Sequence, residues 1–142
     1  MPVTTLEIST SGPGLVEITA PVTQWLGQFV SDGLLTVFVR HTSCSLLIQE
    51  NADPDVQVDL KAYLERLVPD ADDAAMGYLR HTFEGPDDMP AHIKAALLPV
   101  SLSIPVVRGE PMLGTWQGIY LVEHRTRPHR RQVALHFAPD PT

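Results

Sequence analysis

Residues 100–137 contain the stretch of sequence that decides the fold class. Three apolar runs follow one another there, reading VSLSIPVV (100–107), TWQGIYLVEH (115–124) and QVALHF (132–137). A turn signal, RGEP at 108–111, separates the first two runs. The runs therefore predict an antiparallel meander of three strands.

Upstream of this stretch, strands and helices do not alternate regularly enough for a parallel sheet. Alternating or β-branched runs predict strands at 3–9, 15–19, 34–40 and 45–50. Apolar residues at helical spacing predict three helices: one from Thr19 to Gly33, one capped by Asp53 that stops at Val68 and Pro69, and one that follows residues 87–90 and ends at Pro99. The order β-β-α-β-β-α-α-β-β-β favours an α+β fold with an antiparallel β-sandwich core and about three helices.

Length and composition indicate one soluble domain. A chain of 142 residues and 15.6 kDa fits a single domain spanning 1–142. No apolar run approaches the roughly 18–20 residues that span a bilayer, and the N-terminus MPVTTLEIST lacks the features of a signal peptide. The only cysteine, Cys44, cannot form an internal disulfide and is expected to be a small buried packing residue. Together these observations predict a cytoplasmic protein with no membrane partner.

Negative charge is concentrated in one segment of the chain. The formal net charge is −7, and residues 50–90 hold eleven acids against three bases. An acidic protein of this kind is a poor match for nucleic acid. Four of the eight arginines fall in the short segment 125–131, which is expected to be a hairpin loop. That basic loop is either a solvated turn or a clamp for phosphate or carboxylate.

Six histidines are the clearest candidates for chemistry, although none of the compact metal-binding spacings is present. His81 and His92 flank the segment FEGPDDMPA, in which Asp87 and Asp88 precede a predicted helix. The two aspartates either cap that helix or join the histidines as ligands for a divalent cation. The sequence leaves both interpretations open.

Two strand ends carry polar side chains that need an explanation. His41 follows an apolar strand and either bonds a neighbouring carbonyl or serves a functional site. Glu123 and His124 end another strand, and alternation places His124 on the face of Tyr120, opposite Glu123. One of the two therefore points toward the core and requires a partner.

Four longer blocks carry a resemblance to a known family. They are HTSC (41–44) with IQENADP (48–54), EGPDDMPAHIK (84–94), LGTWQGIY (113–120) and EHR (123–125). In this order they resemble the YjbQ-type family, which is described as secondary thiamine-phosphate synthase. The resemblance covers nearly the whole chain, and the second and third blocks are too long to match by chance.

The resemblance implies a small α+β protein with a β-sandwich core that assembles as a homotrimer, with polar sites near subunit boundaries. It also implies a weak transferase activity that joins hydroxymethylpyrimidine diphosphate to thiazole phosphate and releases pyrophosphate. The binding partner is then a small phosphorylated molecule. The alternatives are a trimeric protein that binds a metal or small anion without turnover, an enzyme acting on an unidentified phosphorylated substrate, and a purely structural assembly protein.

The resemblance also implies roles for individual residues. The expected catalytic group comprises His41, Asp87, Asp88 and Glu123. The expected substrate-binding group comprises Thr42, Ser43, Asn51, Lys94, Gln117 and Arg125. The expected metal ligands are His81, His92 and His124, holding a divalent ion such as zinc or magnesium.

Overall fold

Two antiparallel sheets stack face to face in the computed structural model of the protein, which describes residues 2–141. The five-stranded sheet has the spatial order β1 (Val3–Thr10), β8 (His129–Pro139), β3 (Gly33–Val39), β5 (Ser101–Val107) and β6 (Glu110–Pro111). The three-stranded sheet has the order β2 (Gly14–Glu17), β7 (Gln117–Glu123) and β4 (Cys44–Glu50). The helices are α1 (Thr19–Leu26), α2 (Pro54–Leu67) and α3 (Asp88–Leu97), with one short 3₁₀ turn at Ala74–Met76. The predicted α+β fold with a sandwich core and three helices is confirmed.

Alternation along each strand builds the core between the two sheets. On β3, Leu35 and Val37 point inward and are fully buried, whereas Leu34 and Phe38 point outward and are each 43% exposed. On β4, Cys44 and Leu46 face the same core from the three-stranded sheet. Cys44 is thus a buried packing residue, as expected, and burial raises the pKa of its thiol to about 11. The core has one continuous cluster of apolar side chains from both sheets.

The three-stranded sheet is covered on both faces, which explains why β7 is almost entirely buried. Ile119 and Leu121 face the five-stranded sheet. Tyr120 faces the helices instead, and its hydroxyl accepts a hydrogen bond of 3.0 Å from Gln57 of α2. Helix α3 packs on β4, and α2 packs on β2. Polar groups on this second face therefore lie between a sheet and two helices rather than in open water.

The predicted three-stranded meander is wrong. β5 pairs with β3 and β6, whereas β7 pairs with β2 and β4 in the other sheet. β8 returns to the first sheet, between β1 and β3. The predicted turn is correct, since Arg108 and Gly109 have φ of 48° and 76° and close the β5–β6 hairpin. Strand runs were recognisable from their composition, but composition does not say which strands pair.

Helix boundaries are correct for α2 and wrong for α1. Asp53 accepts a hydrogen bond from the Asp55 N–H and Pro54 opens α2, as its sequence predicts. Helix α1 ends at Leu26 instead of continuing to Gly33. Gly33 begins β3, where a Cβ would lie 2.3 Å from the Ala138 carbonyl oxygen, so this glycine serves close strand pairing rather than helix termination.

Among residues 2–141, none of the helices has the length and apolar character that crossing a bilayer requires.

Candidate functional site

Two histidines and two acids converge where the first turn of α3 meets the loop that precedes it. Each of His81, Glu84, Asp88 and His92 offers one ligand atom, and these four atoms lie within 4.8 Å of one another. Asp88 and His92 are separated by one helical turn, so they project from the same side of α3. The loop before α3 brings His81 and Glu84 to that side. We call these four residues the His–carboxylate cluster.

Asp88 is the centre of the His–carboxylate cluster. Its Oδ2 atom lies 2.7 Å from Nε2 of His81 and 3.2 Å from Nε2 of His92. The Nε2 atom of His81 also lies 3.3 Å from Oε2 of Glu84. The Asp88 side chain is only 3% exposed, whereas both imidazoles are about one-third exposed. The cluster therefore has a buried carboxylate at its base and imidazoles that solvent can reach.

Arg125 holds the base of the cluster from behind. Its Nη1 donates to Oδ1 of Asp88 at 2.7 Å, and its Nε donates to Oδ2 of Asp87 at 2.8 Å. The backbone N–H and the hydroxyl of Thr126 also donate to Oδ2 of Asp87, at 3.0 Å and 3.2 Å. Neither aspartate side chain caps α3, so the capping interpretation of this acidic pair is wrong. Arg125 occupies one oxygen of Asp88 and leaves the other facing both histidines.

His92 is oriented by the segment that follows β3. Its Nδ1 donates to the carbonyl oxygen of Thr42 at 2.9 Å, which leaves Nε2 facing Asp88. A backbone carbonyl on the distal nitrogen is the arrangement that commonly fixes the tautomer of a metal-binding histidine. Thr42 was expected to bind substrate, and in this structure its main chain positions His92.

Proton affinities in the cluster follow from its geometry. The hydrogen bond to Asp88 raises the pKa of His81 above its usual 6.5. Burial by itself would raise the pKa of Asp88, but hydrogen bonding to His81 and the charge of Arg125 together hold it below its usual 3.8. The carboxylate is thus ionised at neutral pH, and a proton on His81 competes with any cation for the same nitrogen.

The donor set fits a divalent metal ion. Two imidazole nitrogens and two carboxylate oxygens suit zinc, manganese or iron. The outward-facing Oδ2 of Asp88 and the fixed tautomer of His92 are supported by groups outside the cluster, as metal ligands usually are. The fit is therefore to a His₂–carboxylate₂ site, with Glu84 and Asp88 beside the predicted His81 and His92.

His124, the third predicted metal ligand, lies apart from the His–carboxylate cluster. Its Nε2 is 2.9 Å from the hydroxyl of Ser45, and the ring is buried on the helix-facing side of β7. Burial, reinforced by the charge of Lys94, lowers the pKa of His124 to about 4. The imidazole is consequently neutral at physiological pH and is held in place by a hydroxyl.

Glu123 points to the opposite side of β7, into the core between the sheets. It is 1% exposed, and both its oxygens accept hydrogen bonds from Arg131 of β8. The hydroxyl of Thr10 donates to Oε1 at 2.6 Å, and the N–H groups of His124 and Arg125 donate to Oε2. Burial would raise the pKa of Glu123, but the bonds from Arg131 and Thr10 keep it below its usual 4.5. This carboxylate is saturated by internal donors and joins the two sheets.

The remaining residues expected from HTSC also bond within the protein. Nε2 of His41 accepts the backbone N–H of Gln132 at 2.8 Å, and burial together with the charge of Arg131 lowers the pKa of His41. The hydroxyl of Ser43 accepts a hydrogen bond of 2.9 Å from Arg131. His41 is therefore a neutral ring at a strand end, with its bond made to an N–H group rather than to a carbonyl.

The basic segment 125–131 is not a hairpin loop, because β7 and β8 belong to different sheets. Arg125 and Arg131, at its two ends, turn inward to protein carboxylates. Arg127 and Arg130 remain exposed, and Arg130 forms a long surface pair with Glu7. Half of the arginines in the segment are thus structural.

A cavity of about 430 Å³ lies beside the cluster. Asp87 is one of its lining residues and connects it to Asp88. Lys94 and His124 line the cavity as well. Its other acidic lining residues are Glu65, Asp70, Asp72 and Asp73. Lys94, expected to bind substrate, is therefore placed at a cavity next to the candidate metal ligands.

Comparisons with known proteins agree on one family. The model of the family described as UPF0047 protein YjbQ-like matches residues 4–140. The chain belongs to the YjbQ-like family. A UPF0047 protein from Synechocystis, sll1880, is 57% identical over 109 residues, covering 77% of this chain and 71% of that protein. The UPF0047 protein YjbQ of Escherichia coli O157:H7 is 40% identical over 91% of both chains.

Solved structures share the fold. The crystal structure of the hypothetical protein APE1520 from Aeropyrum pernix matches with a TM-score of 0.86 and 28% identity, covering 99% of this chain and 100% of that one. An uncharacterized conserved YjbQ/UPF0047 family protein from Clostridium acetobutylicum matches with a TM-score of 0.83 and 35% identity, covering 95% and 99% of the two chains.

The YjbQ-like blocks divide between the two ends of the three-stranded sheet. EGPDDMPAHIK supplies most of the His–carboxylate cluster, near the β4–β7 end formed by Cys44 and Glu123. Asn51 and Gln117 lie at the other end of the same strand pair, about 20 Å away along the strands. There the amide nitrogen of Asn51 bonds the carbonyl oxygen of Gln117 at 3.4 Å. A single chain does not bring these two residues to the cluster.

Two residues that matter for the YjbQ-like cluster were not chosen from the sequence. Glu84 is not among the site residues that the sequence predicts, because it lies in the loop before α3, where no regular spacing relates it to His81 and Asp88. Thr126 supports Asp87 through both its backbone N–H and its hydroxyl, and the sequence does not indicate this contact because the two residues are 39 positions apart.

Proposed function

We propose that this protein is a metal-dependent transferase that joins hydroxymethylpyrimidine diphosphate to thiazole phosphate and releases pyrophosphate. The observation that carries the proposal is the convergence of His81, Glu84, Asp88 and His92 within 4.8 Å. The resemblance of the EGPDDMPAHIK block to the YjbQ-type family supplies the choice of reaction, and it places three of those four residues in family-like positions.

The reaction needs charge stabilisation more than proton transfer. The thiazole nitrogen donates its electron pair to the methylene carbon of the pyrimidine, and a carbon–nitrogen bond forms. The carbon–oxygen bond to the diphosphate breaks, and pyrophosphate leaves with that electron pair. The neutral thiazole becomes a positively charged thiazolium ring, so no proton has to be removed. Developing negative charge on the leaving group is the main obstacle.

The His–carboxylate cluster is suited to stabilising the negative charge that develops on the leaving group. A divalent ion held by its four residues would neutralise charge on the diphosphate oxygens. Arg125 keeps Asp88 in its ionised, outward-facing state, and the carbonyl of Thr42 keeps Nε2 of His92 directed at the same point. These two residues act as positioning residues for the ligands.

Metal analysis and steady-state kinetics test the proposal together. Protein purified without chelator should contain about one divalent ion per chain, and pyrophosphate release should require both precursors and fall on EDTA treatment. His92→Ala and Asp88→Asn should each lower the metal content. Each should also lower kcat/KM by about 100-fold. Asp59→Asn is the matched control for Asp88→Asn, because Asp59 is exposed on α2 and lies outside the cluster. Turnover that survives complete metal removal would contradict the proposal.

A metal-binding protein without turnover is the second candidate. The observation in its favour is that the two inward-facing arginines, Arg125 and Arg131, already pair with protein carboxylates and do not face a substrate phosphate. Metal bound at one per chain, with no pyrophosphate release above that of His92→Ala, would establish this alternative.

We also propose that the chain forms a homotrimer. The outer face of β3 supports this, since Leu34 and Phe38 are both 43% exposed on that surface of the sheet. Light scattering should give a mass three times 15.6 kDa, and Phe38→Lys should shift it toward the monomer. A monomeric mass for the unmodified protein at micromolar concentration would contradict the trimer.

A further inference from the structure

The cavity beside the His–carboxylate cluster has charges of opposite sign at different depths. Lys94 lies inside and is only 7% exposed. Asp87 is buried in the same lining at 8% exposed, but its carboxylate already accepts hydrogen bonds from Arg125 and Thr126. Glu65, Asp70, Asp72 and Asp73 line the same cavity from exposed positions, so they form its acidic rim. A ligand entering the cavity therefore passes carboxylates first and reaches an ammonium group afterwards.

The ammonium group of Lys94 indicates which kind of ligand the cavity binds. Within residues 2–141, its side-chain nitrogen has no ion pair within 4.0 Å and no hydrogen-bond partner, although it is more than nine-tenths buried. Every fully enclosed side-chain nitrogen or oxygen in the same part of the chain does have a partner. The ammonium of Lys94 consequently reaches the open volume of the cavity, where an anionic group would complete its hydrogen bonds.

The acidic rim sets a second requirement. A ligand that is only an anion would meet Lys94 favourably but would be repelled by the carboxylates around it. A ligand that is only a cation would be attracted to the rim and repelled by Lys94. The two requirements are met together by a molecule with a negative and a positive group some ångströms apart, and 430 Å³ is enough for a small one.

We propose that this cavity binds a small molecule that carries both a phosphate and a positively charged ring nitrogen, with the phosphate at Lys94 and the nitrogen at the acidic rim. The choice of a thiazolium ring rests on the proposed function, because alkylation of thiazole phosphate creates that positive charge. The cavity then binds the product of the reaction. Its acidic rim stabilises the positive charge that develops on the ring as the carbon–nitrogen bond forms.

Isothermal titration with three matched compounds tests the proposal. The first compound is thiazole phosphate methylated on its ring nitrogen, which carries both charges. The second is thiazole phosphate itself, which carries the negative charge only. The third is the N-methylated thiazole alcohol without phosphate, which carries the positive charge only. In EDTA, without turnover, the doubly charged compound should bind at least about tenfold more tightly than either of the others. Equal affinities, or no measurable binding of the doubly charged compound, would overturn the proposal.

Variants assign the two preferences to their residues. Lys94→Met should bring the ratio of affinities for the compounds with and without phosphate close to one. Lys94→Arg should retain this preference for phosphate in part. Asp70→Asn with Asp72→Asn should reduce the preference for the positive ring while leaving the phosphate preference intact.

The exposed residues Arg66 and Asp59 of α2 provide matched controls, since neither lines the cavity. Arg66→Met and Asp59→Asn should change neither preference. A phosphate preference that persists in a correctly folded Lys94→Met protein would overturn the assignment. Because binding is measured without metal or turnover, this result is independent of whether pyrophosphate release is observed.

Discussion

Replacing Glu123 by glutamine is expected to destabilise the protein severely, because it leaves the cation of Arg131 buried without its anion. The Arg131 side chain is 4% exposed and donates to both oxygens of Glu123. Removing one partner of a buried pair costs about 3–5 kcal/mol. For a chain of this length that corresponds to a fall in Tm of roughly 10–15 °C.

Urea and thermal unfolding at fixed protein concentration measure this effect. Glu7→Gln is the control, because the Glu7–Arg130 pair is exposed at 3.7 Å and should contribute less than about 0.5 kcal/mol. Adding Arg131→Met to Glu123→Gln should recover part of the loss, since the unpaired cation is then removed. A Glu123→Gln protein that unfolds like the wild type but has lost turnover would refute the structural role and make Glu123 a catalytic residue.

Three further outcomes are expected. Zinc affinity, titrated between about pH 5.5 and about pH 8, should rise with pH, because the raised pKa of His81 keeps a competing proton on the ring; a flat profile would exclude His81 as a ligand. Arg125→Lys should lower zinc affinity about tenfold, because an ammonium cannot hold Asp87 and Asp88 together; unchanged calorimetric affinity would show that these carboxylates need no support. The free energy of unfolding should fall as the pH decreases from 6.5 toward about 4, since His124 stays neutral when folded and takes up a proton when unfolded. His124→Gln should flatten that slope in urea titrations.

The sequence predicted those parts of the molecule that depend on local pattern. Asp53 and Pro54 fixed the start of α2, and alternation correctly placed Glu123 and His124 on opposite faces of β7. The proximity of His81 to Asp88 was also within reach, because the two residues are only seven positions apart. In each case the interacting groups are near one another in the chain or share one strand.

The parts that the sequence did not predict depend on long-range partners. Nothing local distinguishes Arg131, which is buried in the core, from Arg130, which is exposed, because the two differ only in the face of β8 that they occupy. The assignment of β7 to the second sheet likewise depends on its partners β2 and β4. His124 was expected beside His92, but the strand that carries it directs the ring to Ser45 instead.

The order of the chain has a consequence for biosynthesis. His81, Asp88 and His92 leave the ribosome before Arg125, which lies 37 residues after Asp88. During that interval the emerged segment holds both histidines and both aspartates, but the guanidinium that bonds Asp88 has not emerged. The arrangement in which Arg125 bonds both aspartates can therefore form only after residue 125 has emerged, and until then the acidic and imidazole side chains lie on a segment without that support.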